Sequence, residues 1–172
     1  MHNHKCNKLV QFRKNGFYER YFSSSCFDGK IVIRRYICPL CGHTISVMPS
    51  FCMPKYINAL ENIFEYICSV FHRYGTIKEC LEELNMNSGM NISRQLLYHY
   101  RKRFKENLTF IQAGIRRLNP EAEMPDIQLE SNKKAREVLD IVKNWPWQIN
   151  SFSQQFFEKN TKTFLTKQFN LL

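Results

Sequence analysis

Aspartate is scarce in this 172-residue chain, with Asp28, Asp126 and Asp140 as its only three. Two-metal phosphoryl-transfer sites gather several carboxylates around ions about 3.5–4 Å apart. Asp126, Glu130 and Asp140 lie in a stretch too short for a five-stranded catalytic core. Glycine is held to 6 residues, and no Walker loop, G-x-G-x-x-G or G-x-S-x-G occurs. Nucleotide hydrolysis, dinucleotide binding and the hydrolase elbow therefore lack their motifs, and an enzyme is not expected. Proline also stops at 6, and with 44% apolar and 14% aromatic residues the chain is neither disordered nor collagen-like. No apolar run approaches the ~20 residues of a membrane span. The start, Met1-His2-Asn3-His4-Lys5-Cys6, has no signal-peptide core. A cytoplasmic, nucleoid-associated protein with no membrane partner is expected. In that reducing compartment the 7 cysteines, an odd number, read as thiols or metal ligands rather than disulfides.

What the chain has in surplus is positive charge, +10 overall and unevenly spread. Residues 1–60 carry 9 Lys and Arg against 2 acids, and residues 93–118 carry 7 against 1. Between them, residues 61–92 are acidic, 2 against 5, and residues 119–172 balance at 7 against 7. Basic blocks of this kind raise local phosphate concentration and give sequence-independent affinity for nucleic acid; a solubility surface is the alternative.

The first block reads as β-structure around a metal. Leu9 to Lys14 and Phe17 to Phe22 are β-prone runs separated by Asn15-Gly16, a strong hairpin signal. Ile31 to Ile37 follows as a third strand. It leads directly into Cys38-Pro39-Leu40-Cys41-Gly42-His43 and a last strand through Val47. Two thiolates at Cys-x-x-Cys spacing reach one tetrahedral zinc ion at about 2.3 Å, with the glycine letting the backbone curl beneath them. A thioredoxin-like redox pair is the main competitor, but its βαβ context is missing. Cys6, which precedes the first strand, is the third ligand of choice, with His4 or His2 beside it; His43 and Cys26 remain alternatives for the fourth. A frayed, solvated terminus is the plainer reading of His2 and His4. Some 50 residues with few large apolar side chains need such a metal to fold.

The second block reads as helices. Pro49 to Pro54 marks a linker, after which Ile57, Leu60, Phe64, Ile67 and Phe71 line one face at steps of 3 and 4. Tyr74-Gly75 breaks the helix, and Thr76-Ile77-Lys78-Glu79 is a capping box opening a second one. Cys68 and Cys80 fall at apolar positions and read as small buried hydrophobes. Asn85 to Asn91 is a turn, and Ser93 caps a third helix, Arg94 to Lys105. There Leu97, Tyr100 (or Arg101) and Phe104 face inward, while Arg94, Gln95, Tyr98, His99, Lys102 and Lys105 largely point away. Two short helices, a turn and a basic third helix form the helix-turn-helix layout, although the turn exceeds the usual 3–4 residues (about). A generic bundle with a charged exterior is the alternative. Phe110 to Leu118 and Leu129 to Val142 continue helically, and the aromatic tail from Phe152 to Leu172 is set to pack on the bundle or on another copy.

The run Arg34-Arg35-Tyr36-Ile37-Cys38-Pro39-Leu40-Cys41-Gly42-His43-Thr44-Ile45-Ser46-Val47, preceded by Asn15-Gly16-Phe17-Tyr18-Glu19-Arg20, resembles the N-terminal zinc ribbon of insertion-sequence transposases. It is especially similar to short stand-alone relatives of these in bacteria and mobile elements, and the likeness covers about residues 1–105. The resemblance implies that ribbon and helix-turn-helix bind the element's DNA ends while a separate RNase H-like domain cuts. This chain departs from the pattern in lacking an upstream Cys-x-x-Cys and a catalytic domain.

The expectation is thus an α+β protein: a zinc ribbon at residues 1–50, a helix-turn-helix domain at 54–118 and a helical extension at 126–172. Its partners would be Zn²⁺ and double-stranded DNA, with a homo-oligomer or a separate catalytic subunit as further partners. Arg94, Gln95, Tyr98 and His99 would face base edges; Lys102, Lys105, Arg116, Arg117, Arg34 and Arg35 would meet phosphates. The competing reading is a protein-interaction module built from the ribbon and the aromatic tail, and a weaker third is a cysteine-based redox protein.

Overall fold

The structure, a computed structural model, describes residues 2–3, 8–73, 76–88, 92–126, 128–146 and 148–166, without the side chains of residues 2, 3, 8, 87 and 88. It is an α+β architecture: a three-stranded antiparallel sheet followed by six helices among the described residues. Strands β1 (His2–Asn3) and β2 (Lys8–Leu9) pair antiparallel as a separate two-stranded unit. Strands β3 (Arg13–Ser23), β4 (Asp28–Ile37) and β5 (Thr44–Val47) form the main sheet in that order.

Asn15-Gly16 is not the hairpin turn. It lies inside β3, where the register slips between Lys14, opposite Tyr36, and Phe17, opposite Arg34. Gly16 takes a φ of 72°, so the dipeptide supplies the positive φ it is suited to, but for a bulge instead of a reversal. The strand runs on because Tyr18, Arg20 and Phe22 share a face with Ile31 and Ile33 of β4, and that face is covered. The chain reverses at residues 24–27, where the Ser24 N–H donates to the Phe27 carbonyl at 2.7 Å. Likewise Leu9 to Lys14 is not one strand: Leu9 pairs with His2, and Arg13 already belongs to β3.

Residues 49–54, expected as a linker, and 55–59, expected to open the first helix, are instead built into the junction with the sheet. The Ser23 N–H donates to the Ile57 carbonyl at 2.9 Å and the Ala59 N–H to the Ser23 carbonyl at 2.8 Å, extending the sheet by one bridge. Phe22, Cys52 and Ala59 form a small buried cluster there, with Ile31 and Met48 against it. The guanidinium of Arg20 donates to the Tyr56 carbonyl, closing the junction from the sheet's inner face. Because this segment is spent on pairing, the first helix starts at Leu60 and not at Pro54. Leu60, Ile67 and Phe71 are buried as their spacing predicts, while Ile57 is half exposed and lies before the helix.

The helices are α1 (Leu60–His72), α2 (Ile77–Ser88), α3 (Arg94–Glu106), α4 (Leu108–Leu118), α5 (Ser131–Lys143) and α6 (Gln148–Asn160). Both sequence-predicted caps form. Thr76 Oγ1 accepts from the Glu79 N–H at 3.3 Å while Glu79 Oε2 accepts from the Thr76 N–H at 2.8 Å, and Ser93 Oγ accepts from the Leu96 N–H at 3.2 Å. One core of buried side chains extends from Met53 through α1–α6 to Leu165, so residues 126–166 share the bundle's interior. Phe152, Phe156 and Phe164 pack ring against ring within it. No helix among the described residues is long and apolar enough to cross a membrane.

Candidate metal turn and nucleic-acid interface

The Cys-Pro-Leu-Cys-Gly turn closes β4 onto β5. Cys38 sits at the end of β4, its N–H donating to the His43 carbonyl at 2.8 Å, and the Gly42 N–H returns to the Cys38 carbonyl at 3.0 Å. Gly42 takes a φ of 70°, a conformation a β-carbon would disfavour. Cys38 is buried and Cys41 exposed. Pairing of Arg13 with Ile37 carries the start of β3 to this turn, and residues 10–14 line one cleft together with Pro39 and Leu40. The N-terminal pair β1–β2 ends at Leu9, a few residues upstream, and the four residues joining those strands include His4 and Cys6.

The described residues hold no group of three or more His, Cys, Asp or Glu side chains able to bind a metal; Cys6, His4 and the His2 side chain lie outside them. Cys26 is corrected as a ligand candidate. It lies in the 24–27 turn, at the opposite end of the β3–β4 hairpin from Cys38, with Ser24 Oγ 3.6 Å from its sulfur. Nine strand residues at about 3.3 Å each put roughly 30 Å between the two ends. His43 stays beside the knuckle, with its backbone carbonyl committed to Cys38.

On α3 the predicted division of faces holds except at Lys105. Leu97, Tyr100 and Phe104 are buried, and Arg94, Gln95, Tyr98, His99 and Lys102 are exposed. Tyr100 anchors the inner face: its hydroxyl donates to Asn58 Oδ1 at 3.1 Å, and its ring stacks on Tyr66 with centroids 6.2 Å apart. Burial raises the Tyr100 phenol well above its ordinary range. On the outer face the Arg94 guanidinium sits 5.9 Å from the Tyr98 ring centroid. Lys102 makes only a loose i,i+4 pair with Glu106 at 3.8 Å.

Helix α2 extends to Ser88, leaving five residues before Arg94, shorter than the turn read from sequence and nearer the usual length. Asn85 closes that connection, its Oδ1 accepting from the Ile92 N–H at 2.8 Å.

Other predicted contacts are distributed differently. Lys105 is half-buried, its Nζ bonded to Asn132 Oδ1 on α5 at 3.1 Å. Arg116 and Arg117 are exposed on the last turn of α4, but Arg117 donates to Asn160 Oδ1 on α6 at 2.8 Å. Arg34 and Arg35 are both exposed and point to opposite faces of β4. They lie toward the Cys38 end, whereas the turn at residues 24–27 shares a cleft with Ile92 and Leu96 at the start of α3. The six residues from Asp28 to Arg34 span about 20 Å, so the ribbon arginines and α3 make two separate basic surfaces.

One neighbourhood escaped the sequence reading. Residues 54–57 bring Lys55 and Tyr56 beside His99 and Arg103, lining a cleft of about 500 Å³ along one flank of α3. The Tyr56 and His99 rings are 6.2 Å apart. No local signal could place Lys55 next to a helix forty residues away.

No protein-family model, curated protein or solved structure matches this chain.

Proposed function

We propose that this chain is a zinc-dependent DNA-binding protein related to the DNA-recognition part of insertion-sequence transposases. The observation that carries the reading is α3: a capped helix locked by Leu97, Tyr100 and Phe104 that presents Arg94, Gln95, Tyr98, His99 and Lys102 outward. Nothing on the inner face can turn out to compete, so the outer residues form one fixed surface of hydrogen-bond donors and charge. A helix with that display suits the major groove, whose base edges carry a distinct donor and acceptor pattern. Lys55 and Arg103 along the flanking cleft add positions for the adjacent phosphates.

Zinc fits the donor set of the knuckle. Cys38 and Cys41 would hold it, with Cys6 and one of His4, His2 or His43 completing the four ligands. When bound, the ion supplies a cross-link between the N-terminus and the end of β4, and hence folding free energy to a unit with little core of its own. The described residues of the sheet bury few apolar side chains: Ile33, Cys38 and Phe22, the last in a small cluster with Cys52 and Ala59.

The interaction-module reading loses part of its basis, since Phe152, Phe156 and Phe164 of the tail are spent inside the core. Titration of a random-sequence duplex pool at low salt, parent against Gln95→Ala/Tyr98→Ala, tests the function. Both side chains are exposed, so the fold should survive and affinity should fall. Equal binding on every duplex, or no binding by the parent, would overturn the proposal.

A further inference from the structure

The outward face of the sheet is built unlike a solvated surface. Phe17 is 63% exposed, Val32 62%, Val47 50% and Tyr21 47%. Phe17, Arg34 and Val47 are direct cross-strand neighbours on β3, β4 and β5, with the Arg34 guanidinium 5.7 Å from the Phe17 ring centroid. Exposed rings gathered on a rigid face normally mark a binding surface.

Charge decides what the surface suits. Glu19 and Asp28 are the only acids among residues 1–60, and both are on this face and engaged. Glu19 pairs with Lys30 at 3.0 Å, and Asp28 accepts from the Tyr21 hydroxyl at 2.6 Å. Lys14 and Arg34, by contrast, have no acidic partner among the described residues. A second copy would bring the same cations against these, which disfavours self-association. A polyanion would be drawn in.

A sheet face carrying outward rings finds no free base face in a duplex, where the bases are stacked on one another. It can receive unpaired bases, each of which offers a π-face, while neighbouring cations follow the backbone. We propose that the outer face of β3–β4–β5 is a binding site for single-stranded DNA, with an unpaired base stacked on Phe17 and a second on Tyr21, and with Arg34, opposite Phe17, and Lys14, on the side of Phe17 away from Tyr21, on the phosphates that flank the first base. This goes beyond the duplex reading of α3 and does not rest on it.

Fluorescence anisotropy with a labelled thymidine oligonucleotide and the full chain provides the test, with far-ultraviolet circular dichroism of each variant as the fold control. Phe17→Ala is expected to weaken single-strand binding about tenfold, the size of one lost base stack. Phe17→Leu should be almost as weak, because it keeps apolar bulk but no ring, while Phe17→Tyr should bind as the parent does. Absence of single-strand binding by the parent overturns the proposal. So does an unchanged Phe17→Ala, or a Phe17→Leu as tight as the parent, which would indicate apolar docking of a protein. A sedimentation change in Phe17→Ala with unchanged oligonucleotide affinity would assign the face to a second copy and equally overturn it. The readout is absolute single-strand affinity, so a failure of duplex binding, which would end the reading of α3, leaves this result interpretable.

Discussion

Gly114 on α4 faces the ring of Phe156 on α6 so closely that a β-carbon at Gly114 would stand 2.5 Å from Cζ of that ring. The ring cannot move aside, for it is fully buried and touches Phe110, Phe152 and Phe164. This contact is what seats the C-terminal helix on the bundle. Gly114→Ala is therefore expected to destabilise the protein by about 1–3 kcal/mol, as overpacking of a tight core does, although alanine is otherwise the better helix former. Urea unfolding followed by circular dichroism measures it. A variant as stable as the parent would mean that α4 and α6 do not meet in this way.

That close approach was invisible in the sequence, where Gly114 is one glycine in a helical pattern, and the same limit explains the other differences. Features set by nearby residues were legible: the Thr76–Glu79 box, the Ser93 cap and the Leu97, Tyr100 and Phe104 stripe each depend on contacts within one or two turns. Asn15-Gly16 gave the right backbone conformation and the wrong consequence, because bulge and hairpin demand the same positive φ. Only the pairing of Arg13 with Ile37 and of Lys14 with Tyr36, on the same partner strand as Phe17, distinguishes them, and that is a long-range choice. For the same reason the spacing of Ile57 and Leu60 suggests one helix face, although Ser23 claims Ile57 and Ala59 for the sheet. The exposure of Arg94, Gln95, Tyr98, His99 and Lys102 follows from helix periodicity, whereas the burial of Lys105 against α5 and the approach of Lys55 and Tyr56 depend on distant segments.

Cysteine reactivity should separate zinc ligation from simple exposure. Cys26 and Cys41 are both exposed, whereas Cys38, Cys52 and Cys80 are buried. In protein purified with zinc, iodoacetamide is expected to modify Cys26 quickly and to spare Cys41 until a chelator is added, since a coordinated thiolate is occupied. Peptide mass mapping at timed intervals reads this out. Equal rates for the two thiols in the presence of zinc would remove the metal from the knuckle. Cys41→Ser should lose the ion and yet retain most helical signal, because the core from Met53 to Leu165 contains no residue of the sheet.

Alkaline pH should weaken the fold through groups that burial keeps neutral. Burial pushes the Cys68 thiol from 9.0 up to about 12 and the Tyr66 phenol from 10.0 up to about 12. Below pH 9 both are protonated in either state and their contribution is intact. Above it the unfolded chain releases protons that the native chain retains, so stability falls as pH rises, first through Cys68 and then, beyond 10, through Tyr66. Urea midpoints between pH 8 and 11 are expected to decline, and Cys68→Ala should flatten the earliest part of the decline. A Cys68→Ala midpoint that falls as steeply as the parent's between pH 9 and 10 would assign the effect elsewhere.

The residues of α3 should fall into two thermodynamic kinds when duplex binding is followed at several salt concentrations. Lys102 lies near the helix C-terminus with only the loose Glu106 pair to hold it. As a phosphate contact it releases about one counterion, so Lys102→Ala should lower affinity for all duplexes alike and reduce the salt slope by roughly one. Gln95 stands on the first turn, one residue after Arg94, and carries no charge. As a reader of base edges it should matter at one position: Gln95→Ala should cost about 1–3 kcal/mol on the preferred site and relax preference there. Its salt slope should match the parent's. Arg94 combines both characters, since its guanidinium already lies over Tyr98 and can reach a guanine edge or a phosphate from there. Arg94→Lys distinguishes the two uses, because lysine keeps the charge and loses the planar fork. If Arg94→Lys restores the slope but not the preference, Arg94 reads a base; if it restores both, it holds a phosphate. Should Gln95→Ala instead lower all duplexes equally and change the slope, the N-terminal end of α3 lies on the backbone and not in the groove.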